Sequence, residues 1–135
     1  MRRTGPGKTE GPITPHMMNR RSQGAGFEDL ACAYLRGKGY KILDRNVYHM
    51  RKELDVVALF HGTVVFVEVK GRRSTRFGSP AEAMGKTKKR HMLEAAKAYI
   101  KDRRLQNTPC RFDFVSVTFE SGQPKISHIE NAFEA

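Results

Sequence analysis

The stretch that most constrains the fold of this chain is residues 53–70. It reads ELDVVALFHGTVVFVEVK, which is two runs of β-branched and aromatic residues around the pair His61-Gly62. Two such runs separated by a two-residue turn are typical of a tight β-hairpin. If the turn is centred on that pair, Phe60 faces Thr63, and this register fixes the partner of every other residue in the hairpin.

The same register brings charged residues together at the open end of the predicted hairpin. Asp55 lies directly opposite Glu68, and Glu53 lies opposite Lys70. Because side chains along a strand alternate between the two faces of a sheet, we expect all four to emerge on one face. A loop of three or five residues would shift the register by one and separate the acids.

The opposed pair of Asp55 and Glu68 favours a bound cation, because directly opposed carboxylates repel each other and destabilise a sheet. Carboxylates hold Mg²⁺ or Mn²⁺ in enzymes that hydrolyse phosphodiester bonds. Lys70 follows two residues after Glu68 on the same face, where its ammonium group could stabilise the attacking hydroxide or the charge on the phosphate. We therefore predict Asp55 and Glu68 as metal ligands and Lys70 as a catalytic residue.

Both faces of the predicted hairpin are apolar below its charged end. Leu54, Val56 and Val67 share one face, and Val57 and Phe66 share the other. A pair of strands that is apolar on both sides is buried in the centre of a sheet, with helices covering both faces. The predicted fold is therefore α/β, a central mixed β-sheet of about five strands with helices on both faces.

Patterns on either side of the hairpin predict the remaining elements. The expected order is helix, three strands, helix and two strands. Helical spacing of apolar residues and a Ser-Pro-Ala-Glu helix start indicate the helices, and alternation indicates the strands. The predicted helices cover residues 27–38 and 79–104, and the predicted strands outside the hairpin cover residues 40–47, 111–119 and 125–129.

Glu28 lies in the first turn of the first predicted helix, next to the apolar Phe27. An acid in that turn interacts favourably with the helix dipole, which is a sufficient structural reason for it. If the helix packs across the hairpin, Glu28 also leans toward the charged patch. We therefore expect a catalytic role as well, in which Glu28 orients a water at the metal or joins the metal ligands.

Length and composition indicate the class of protein. With 135 residues the chain suits a single domain, which we place at residues 24–135. Residues 1–23 are rich in Gly, Pro and Arg without an apolar period, so we expect a disordered basic arm. No apolar run is long enough to span a bilayer, so we expect a cytoplasmic protein. The five histidines are scattered, and we expect them in turns or at the surface.

The net charge of +11 is unevenly distributed along the chain. Residues 70–104 contain 12 Lys and Arg but only 3 Asp and Glu. A basic block that begins at the acidic patch favours a polyanionic partner, most simply the phosphates of nucleic acid, although a solvated lysine-rich helix face would have the same composition. In the loop after the hairpin, we expect Arg72, Arg73 and Arg76 to bind the nucleic-acid backbone.

Several motifs, in order, resemble a known family. They are GxxFEDLAxxYL, ELDVVA, FVEVKxR, a lysine-bearing helix and RFDFVSV. Over residues 24–133 they resemble the YraN-like family of small bacterial proteins, which is assigned to the restriction-endonuclease-like fold and is similar to archaeal Holliday-junction resolvases. The resemblance implies a nuclease core with metal and catalytic positions at Asp55, Glu68 and Lys70, and Glu28 as an additional acid.

The resemblance also bears on two lysines. Lys88 matches a lysine that is usual in the second long helix of the family, which implies a contact with a phosphate. Lys52 departs from the family pattern, in which a glycine commonly precedes the acid. A lysine there predicts a different bend before the strand.

Three functions are compatible with these features. The first is a nuclease that uses Mg²⁺ or Mn²⁺ on DNA, including branched or damaged DNA, and a junction resolvase would also need a homodimer. The second is a nucleic-acid-binding module that keeps the fold without cleaving, against which the intact Asp55, Glu68 and Lys70 argue. The third is a structural protein with a Glu53–Lys70 ion pair, which leaves the repulsion between the other two acids unexplained.

Overall fold

The computed structural model describes residues 8–12, 23–72 and 85–134 of the chain. After a first strand, the order is helix, three strands, helix and two strands, as predicted. The elements are β1 (Lys8–Pro12), α1 (Gln23–Gly37), β2 (Lys41–His49), β3 (Lys52–Phe60), β4 (Thr63–Arg72), α2 (Lys86–Asp102), β5 (Cys110–Glu120) and β6 (Gln123–Phe133).

The strands form one six-stranded sheet in the order β1-β6-β5-β4-β3-β2. β4 and β5 are parallel, and all other neighbours are antiparallel, so the sheet is mixed. α1 and α2 pack on opposite faces, each over its own apolar cluster. This arrangement confirms the α/β architecture and is consistent with a restriction-endonuclease-like fold, with one strand more than expected.

The additional strand, β1, corrects the expected disordered arm. Residues 8–12 pair with β6, from Lys8 opposite Ile129 to Pro12 opposite Lys125. The expectation of disorder over residues 1–23 therefore does not hold for these five residues. The rest of that segment, up to residue 22, lies outside the described residues.

The second helix begins later than predicted. Gly85 is extended, with ψ of 178°, and it is the N-cap of a helix that starts at Lys86 and ends at Asp102. A continuous helix from residue 79 is excluded because Gly85 is not helical, while the predicted start at residues 79–82 lies outside the described residues. Within the described ranges, no helix is long and apolar enough to cross a membrane.

The central hairpin, β3 and β4, has the predicted register. Phe60 lies opposite Thr63, and the pairing continues to Val56 opposite Val67. Both turn residues have positive φ, 51° and 81°, as a two-residue hairpin turn requires. Beyond Val56 the two strands are no longer paired with each other, whereas β3 stays paired with β2 and β4 stays paired with β5.

The alternation of side chains in β3 breaks where the strands separate. Leu54 packs with Val57 in the cluster under α2, whereas Val56 packs in the cluster under α1. The prediction that Leu54 and Val56 share a face was wrong, because the strand rotates at Asp55. In β2 the residue facing this point is Asn46, whose φ of 52° interrupts the regular pairing.

Candidate metal centre

Asp55 lies at the point where β3 and β4 separate. Its Oδ2 accepts a hydrogen bond of 2.8 Å from the backbone N–H of Val69 in β4. The residue is only 7% exposed. The carboxylate thus accepts a hydrogen bond from a backbone amide of the neighbouring strand at the point where the regular pairing ends.

On the α1 face, Asp55 is one of three clustered acids. Glu28 from α1, Glu53 from β3 and Asp55 each offer one carboxylate oxygen, and these oxygens lie within 4.8 Å of one another. The helix does pack across the hairpin, and it brings Glu28 to the charged patch. Three carboxylates at this separation repel one another unless donors or a cation compensate.

Asn46 of β2 is the principal donor to these acids. Its Nδ2 lies 3.0 and 3.1 Å from the two carboxylate oxygens of Glu28 and 2.9 Å from Oε2 of Glu53. Sequence reasoning missed this residue. The available signal was weak: an asparagine inside a strand pattern is the residue type that best tolerates the left-handed backbone found here.

On the α2 face, Asp55 interacts with Glu68 of β4. Oε1 of Glu68 lies 3.2 Å from Nζ of Lys88 in α2, as an ion pair. The geometry of that contact is not that of a hydrogen bond, and Oε1 is a buried acceptor without a hydrogen-bond partner among the described residues. A buried carboxylate oxygen without a hydrogen bond is energetically costly, which favours a further cation at this point.

The four charged residues predicted to share one face of the hairpin therefore lie on two faces of the sheet. Glu53 faces α1 together with Glu28, and Glu68 faces α2 together with Lys88, so a single face for all the charged residues was wrong. The rotation of β3 at Asp55 causes the difference, because it leaves that carboxylate between the two faces. Lys70 is exposed and makes no hydrogen bond or ion pair with the described residues.

The electrostatics of the site show an excess of acid. Burial, reinforced by the negative charge of Glu68, raises the pKa of Asp55 to about 7, despite the hydrogen bond from Val69. Burial also raises the pKa of Glu28, against the effect of the hydrogen bond from Asn46. Both carboxyls hold a proton more readily than an exposed acid does, chiefly because burial disfavours their charged form.

The position of Glu28 depends on a close contact between α1 and β4. A Cβ atom at Gly71 would lie 2.0 Å from the ring of Phe27, so only glycine lets that ring lie against the strand. Phe27 directly precedes Glu28. Arg45 of β2 holds the same helix turn from the other side, with contacts of 2.9 Å to Asp29 and 3.6 Å to Glu28.

The basic residues expected to bind nucleic acid are only partly described. Arg72 ends β4 and is half-buried. Arg73 and Arg76 lie outside the described residues. Lys88 lies against Glu68, at the candidate centre itself. Lys52, at the first position of β3, pairs with Glu94 of α2 at 3.1 Å, so it binds the strand to the helix.

The donor set fits a hard divalent cation. The clustered candidate ligands are carboxylate oxygens of Glu28, Glu53 and Asp55, without sulfur or imidazole, and Glu68 lies outside that cluster on the α2 face. Oxygen donors of this kind are those that Mg²⁺ and Mn²⁺ prefer. The buried Oε1 of Glu68 has an ion pair with Lys88 but no hydrogen bond, and burial together with the charge of Glu68 raises the pKa of Asp55.

A second buried carboxylate, Asp113 of β5, has different surroundings. It is 0% exposed. It accepts hydrogen bonds from Nε and a terminal nitrogen of Arg111 at 2.9 and 3.1 Å, and from the backbone N–H of Asn131 at 3.0 Å. Nε2 of His128 lies 2.7 Å away and must donate, since the carboxylate only accepts. His128 is fully buried, so its expected turn or surface position was wrong.

Fold and site together define a class of protein. A mixed sheet with a helix on each face is consistent with a restriction-endonuclease-like fold, and three acids cluster where its central hairpin opens. The model of the family described as "Uncharacterised protein family UPF0102" matches residues 27–117. The chain belongs to this family, which is the YraN-like family.

Curated relatives support the same assignment. The chain is 49% identical to a UPF0102 protein of Syntrophomonas wolfei over 116 residues, which are 86% of this chain and 100% of the relative. It is 43% identical to a UPF0102 protein of Syntrophotalea carbinolica over 115 residues, 85% of this chain and 94% of the relative. A UPF0102 protein of Dehalococcoides mccartyi is 40% identical over 114 residues, 84% of this chain and 94% of the relative.

Proposed function

We propose that this protein is a divalent-metal-dependent nuclease that hydrolyses phosphodiester bonds in DNA, including branched or damaged DNA. One observation carries the proposal. Asp55 is a buried carboxylate in the gap of the sheet, with two acids on one side and Glu68 on the other. Such an excess of buried acid is stabilised by a bound divalent cation, and a metal held by carboxylates is suited to phosphodiester hydrolysis.

The acids of the site have distinct roles in this proposal. Asp55 and Glu68 hold Mg²⁺ or Mn²⁺, with Glu53 as a further oxygen donor on the α1 face. The metal supplies Lewis-acid activation of a water and neutralises charge on the phosphate. Glu28 is less buried than Asp55, and its raised pKa suits a group that accepts a proton from the attacking water.

Two lysines supply positive charge in this proposal. The ammonium group of Lys70 is exposed two residues after Glu68, where it can stabilise the charge that develops on the phosphate. Lys88 neutralises Glu68 and lies at the same end of the sheet. Together with Arg72, these cations favour the binding of a phosphate backbone next to the acids.

Metal binding by calorimetry is the first test. We expect the native chain to bind Mn²⁺, and we expect Asp55→Asn and Glu68→Gln each to weaken that binding at least tenfold. Glu120→Gln is the matched control, because Glu120 is an exposed acid whose ion pair among the described residues is with Lys125 at 3.4 Å. Absence of metal binding by the native chain, both alone and with DNA, would overturn the proposal.

Cleavage is the second test, on linear, flapped and four-way DNA. We expect metal-dependent cleavage of at least one of these substrates, and its loss in Asp55→Asn, Glu68→Gln and Lys70→Ala. DNA binding without cleavage by the native chain would instead identify a non-catalytic nucleic-acid-binding module.

A further inference from the structure

The β2–β3 hairpin ends in an exposed apolar tip. Tyr48 is 67% exposed and Met50 is 76% exposed, and in the part of the chain that the structure describes these are the exposed large hydrophobic residues. The tip is a two-residue turn, Met50-Arg51, between the paired residues His49 and Lys52. Single exposed apolar residues are ordinary, but two at one hairpin tip form a surface that can bind a partner.

The tip adjoins the candidate metal centre. Tyr48 pairs across the strands with Glu53, and Glu53 is one of the three clustered acids. Directly paired side chains on antiparallel strands have Cβ atoms about 4.5–5.5 Å apart. The Tyr48 hydroxyl lies close enough to Glu53 for the charge of that acid to raise its pKa, so the side chain stands beside the acids on the α1 face of the sheet.

The backbone of the tip is strained. Met50 and Arg51 have φ of 50° and 72°, in the left-handed region. Turns of this type favour Asn and Gly, and other residues in that region are energetically unfavourable. The turn therefore holds two long side chains, one apolar and one cationic, where small residues would be more stable. Both are exposed at the end of the hairpin.

Two observations favour nucleic acid over a second copy of the chain as the partner. β2 is an edge strand, but a register shift between Ile42 and Asp44 and the positive φ of Asn46 interrupt the flat ladder that strand addition requires. The tip also carries the cation Arg51, and the whole chain has a charge of +11, so two copies repel each other while phosphates are attracted.

We propose that Tyr48 is a stacking platform for an unpaired DNA base next to the bond that is cleaved. Met50 extends the apolar surface, and Arg51 contacts a neighbouring phosphate. This inference rests on the proposed nuclease function and adds a substrate class: DNA with unpaired nucleotides, as in a single strand, a flap or a bulge. Aromatic side chains stack on any base, so the preference is for unpaired structure and not for sequence.

The test measures binding in EDTA, where metal-dependent cleavage does not occur. The probes are one 20-nucleotide strand, its blunt duplex, and the same duplex with a two-nucleotide bulge that contains 2-aminopurine. We expect Tyr48→Ala to lower affinity for the single strand and the bulged duplex about tenfold and to leave the blunt duplex unchanged. We also expect the 2-aminopurine fluorescence to be quenched by the native chain and not by Tyr48→Ala.

Tyr48→Phe is the matched control, since it keeps the ring and removes only the hydroxyl, and we expect it to bind and quench like the native chain. Equal loss of affinity for all three probes in Tyr48→Ala, or no loss for any, would overturn the inference. So would a native dimer in sedimentation that Tyr48→Ala converts to monomer. Failure of the nuclease proposal appears separately, as absent cleavage with Mn²⁺ while base stacking persists.

Discussion

The two buried carboxylates of this sheet, Asp55 and Asp113, differ in what surrounds them. Asp113 accepts hydrogen bonds from a guanidinium, an imidazole and a backbone amide. Asp55 accepts one from a backbone amide, and its charged neighbours are mainly acids. Both lie in the same sheet at similar depth. Asp113 is therefore compensated by donors within the described part of the fold, whereas the described surroundings of Asp55 offer it a single hydrogen bond.

The pKa values of the two carboxyls are shifted in opposite directions by these surroundings. Burial raises the pKa of Asp55 to about 7, and Glu68 adds to the increase. Burial acts in the same direction on Asp113, but the hydrogen bonds from His128 and Arg111 outweigh it and lower the pKa. A buried acid with sufficient donors therefore stays ionised, and a buried acid among other acids holds its proton.

The largest expected effect is the loss of stability on substituting Asp113, which Arg111 and His128 surround. Asp113→Asn removes the charge that Arg111 and His128 bind, and it turns an amide N–H₂ toward groups that themselves donate. We expect the free energy of unfolding to fall by about 3–5 kcal/mol, the usual result of breaking a buried ion pair. Urea denaturation at pH 7 measures this change.

A matched control for that variant is Glu130→Gln, because Glu130 lies 3.9 Å from Arg111 at the edge of the same cluster. We expect a change of less than about 1 kcal/mol for it. An Asp113→Asn variant as stable as the native chain would remove the distinction between the two carboxylates.

The second prediction concerns pH and Asp55. Its pKa of about 7 in the folded state lies above the ordinary value of 3.8, so the folded chain binds more protons than the unfolded chain between those values. Stability is therefore highest at the acidic end of this range and falls as pH rises to about 7. Without metal, we expect Asp55 to lower the free energy of unfolding by about 2 kcal/mol between pH 5 and pH 8.

Comparison with Asp55→Asn isolates this effect, because the two chains share every other titratable group. We expect the variant to lose the decline and to be more stable than the native chain at pH 8. Asp113 affects the pH dependence of the free energy of unfolding in the opposite direction. Its lowered pKa gives stability that is lost only in acid, below pH 5. A native chain that gains stability from pH 5 to pH 8 relative to Asp55→Asn would contradict the assignment.

The contrast between the two carboxylates also shows what the sequence could predict. The hairpin register followed from His61-Gly62 and the two-residue period of a strand, and it holds from Phe60–Thr63 to Val56–Val67. The predicted direct pairing of Asp55 with Glu68 is not among the paired residues. The burial of His128 did not follow, because its partner Asp113 lies on another strand and pairing of two side chains across a sheet has no local signal. The resemblance to a family added the architecture, which the structure bears out.

The faces of the sheet on which the acids lie could not be predicted from the sequence either. The alternation of side chains in β3 breaks at Asp55, next to the left-handed backbone of Asn46 in the neighbouring strand. Periodicity assumes regular strands, so it placed Glu53 and Glu68 on one face. An irregularity of this kind has no signal in the alternation of apolar residues.

The third prediction tests whether the cluster of Glu28, Glu53 and Asp55 depends on the packing of α1 against β4. Gly71→Ala places a Cβ atom 2.0 Å from the ring of Phe27, so the ring and the first turn of α1 must move. We expect a loss of about 1–3 kcal/mol in the free energy of unfolding, as for other overpacked sites. We also expect weaker Mn²⁺ binding, because Glu28 moves with the helix.

Gly37→Ala is the matched control, since a Cβ atom at Gly37 has no atom within 4 Å. We expect that variant to bind Mn²⁺ like the native chain. If Gly71→Ala is destabilised and yet binds Mn²⁺ with native affinity, Glu28 does not contribute to the metal site, and the cluster reduces to the acids of the sheet.

The smallest expected effect concerns Asn46, which donates to the acids without carrying charge. Asn46→Gly keeps the left-handed backbone accessible and removes the amide that lies 2.9 Å from Glu53 and 3.0 Å from Glu28. Without metal at pH 8, we expect the variant to lose about 1–2 kcal/mol of stability, because the acids then repel each other with less compensation. With saturating Mg²⁺ we expect the part of the loss that comes from the acids to disappear, since the cation compensates them directly.

The same variant is measured in both conditions, so the change in backbone entropy cancels in the difference between them. A loss of equal size with and without Mg²⁺ would mean that Asn46 stabilises the bend of β2 alone and that its contacts with Glu28 and Glu53 do not compensate the charge of the metal centre.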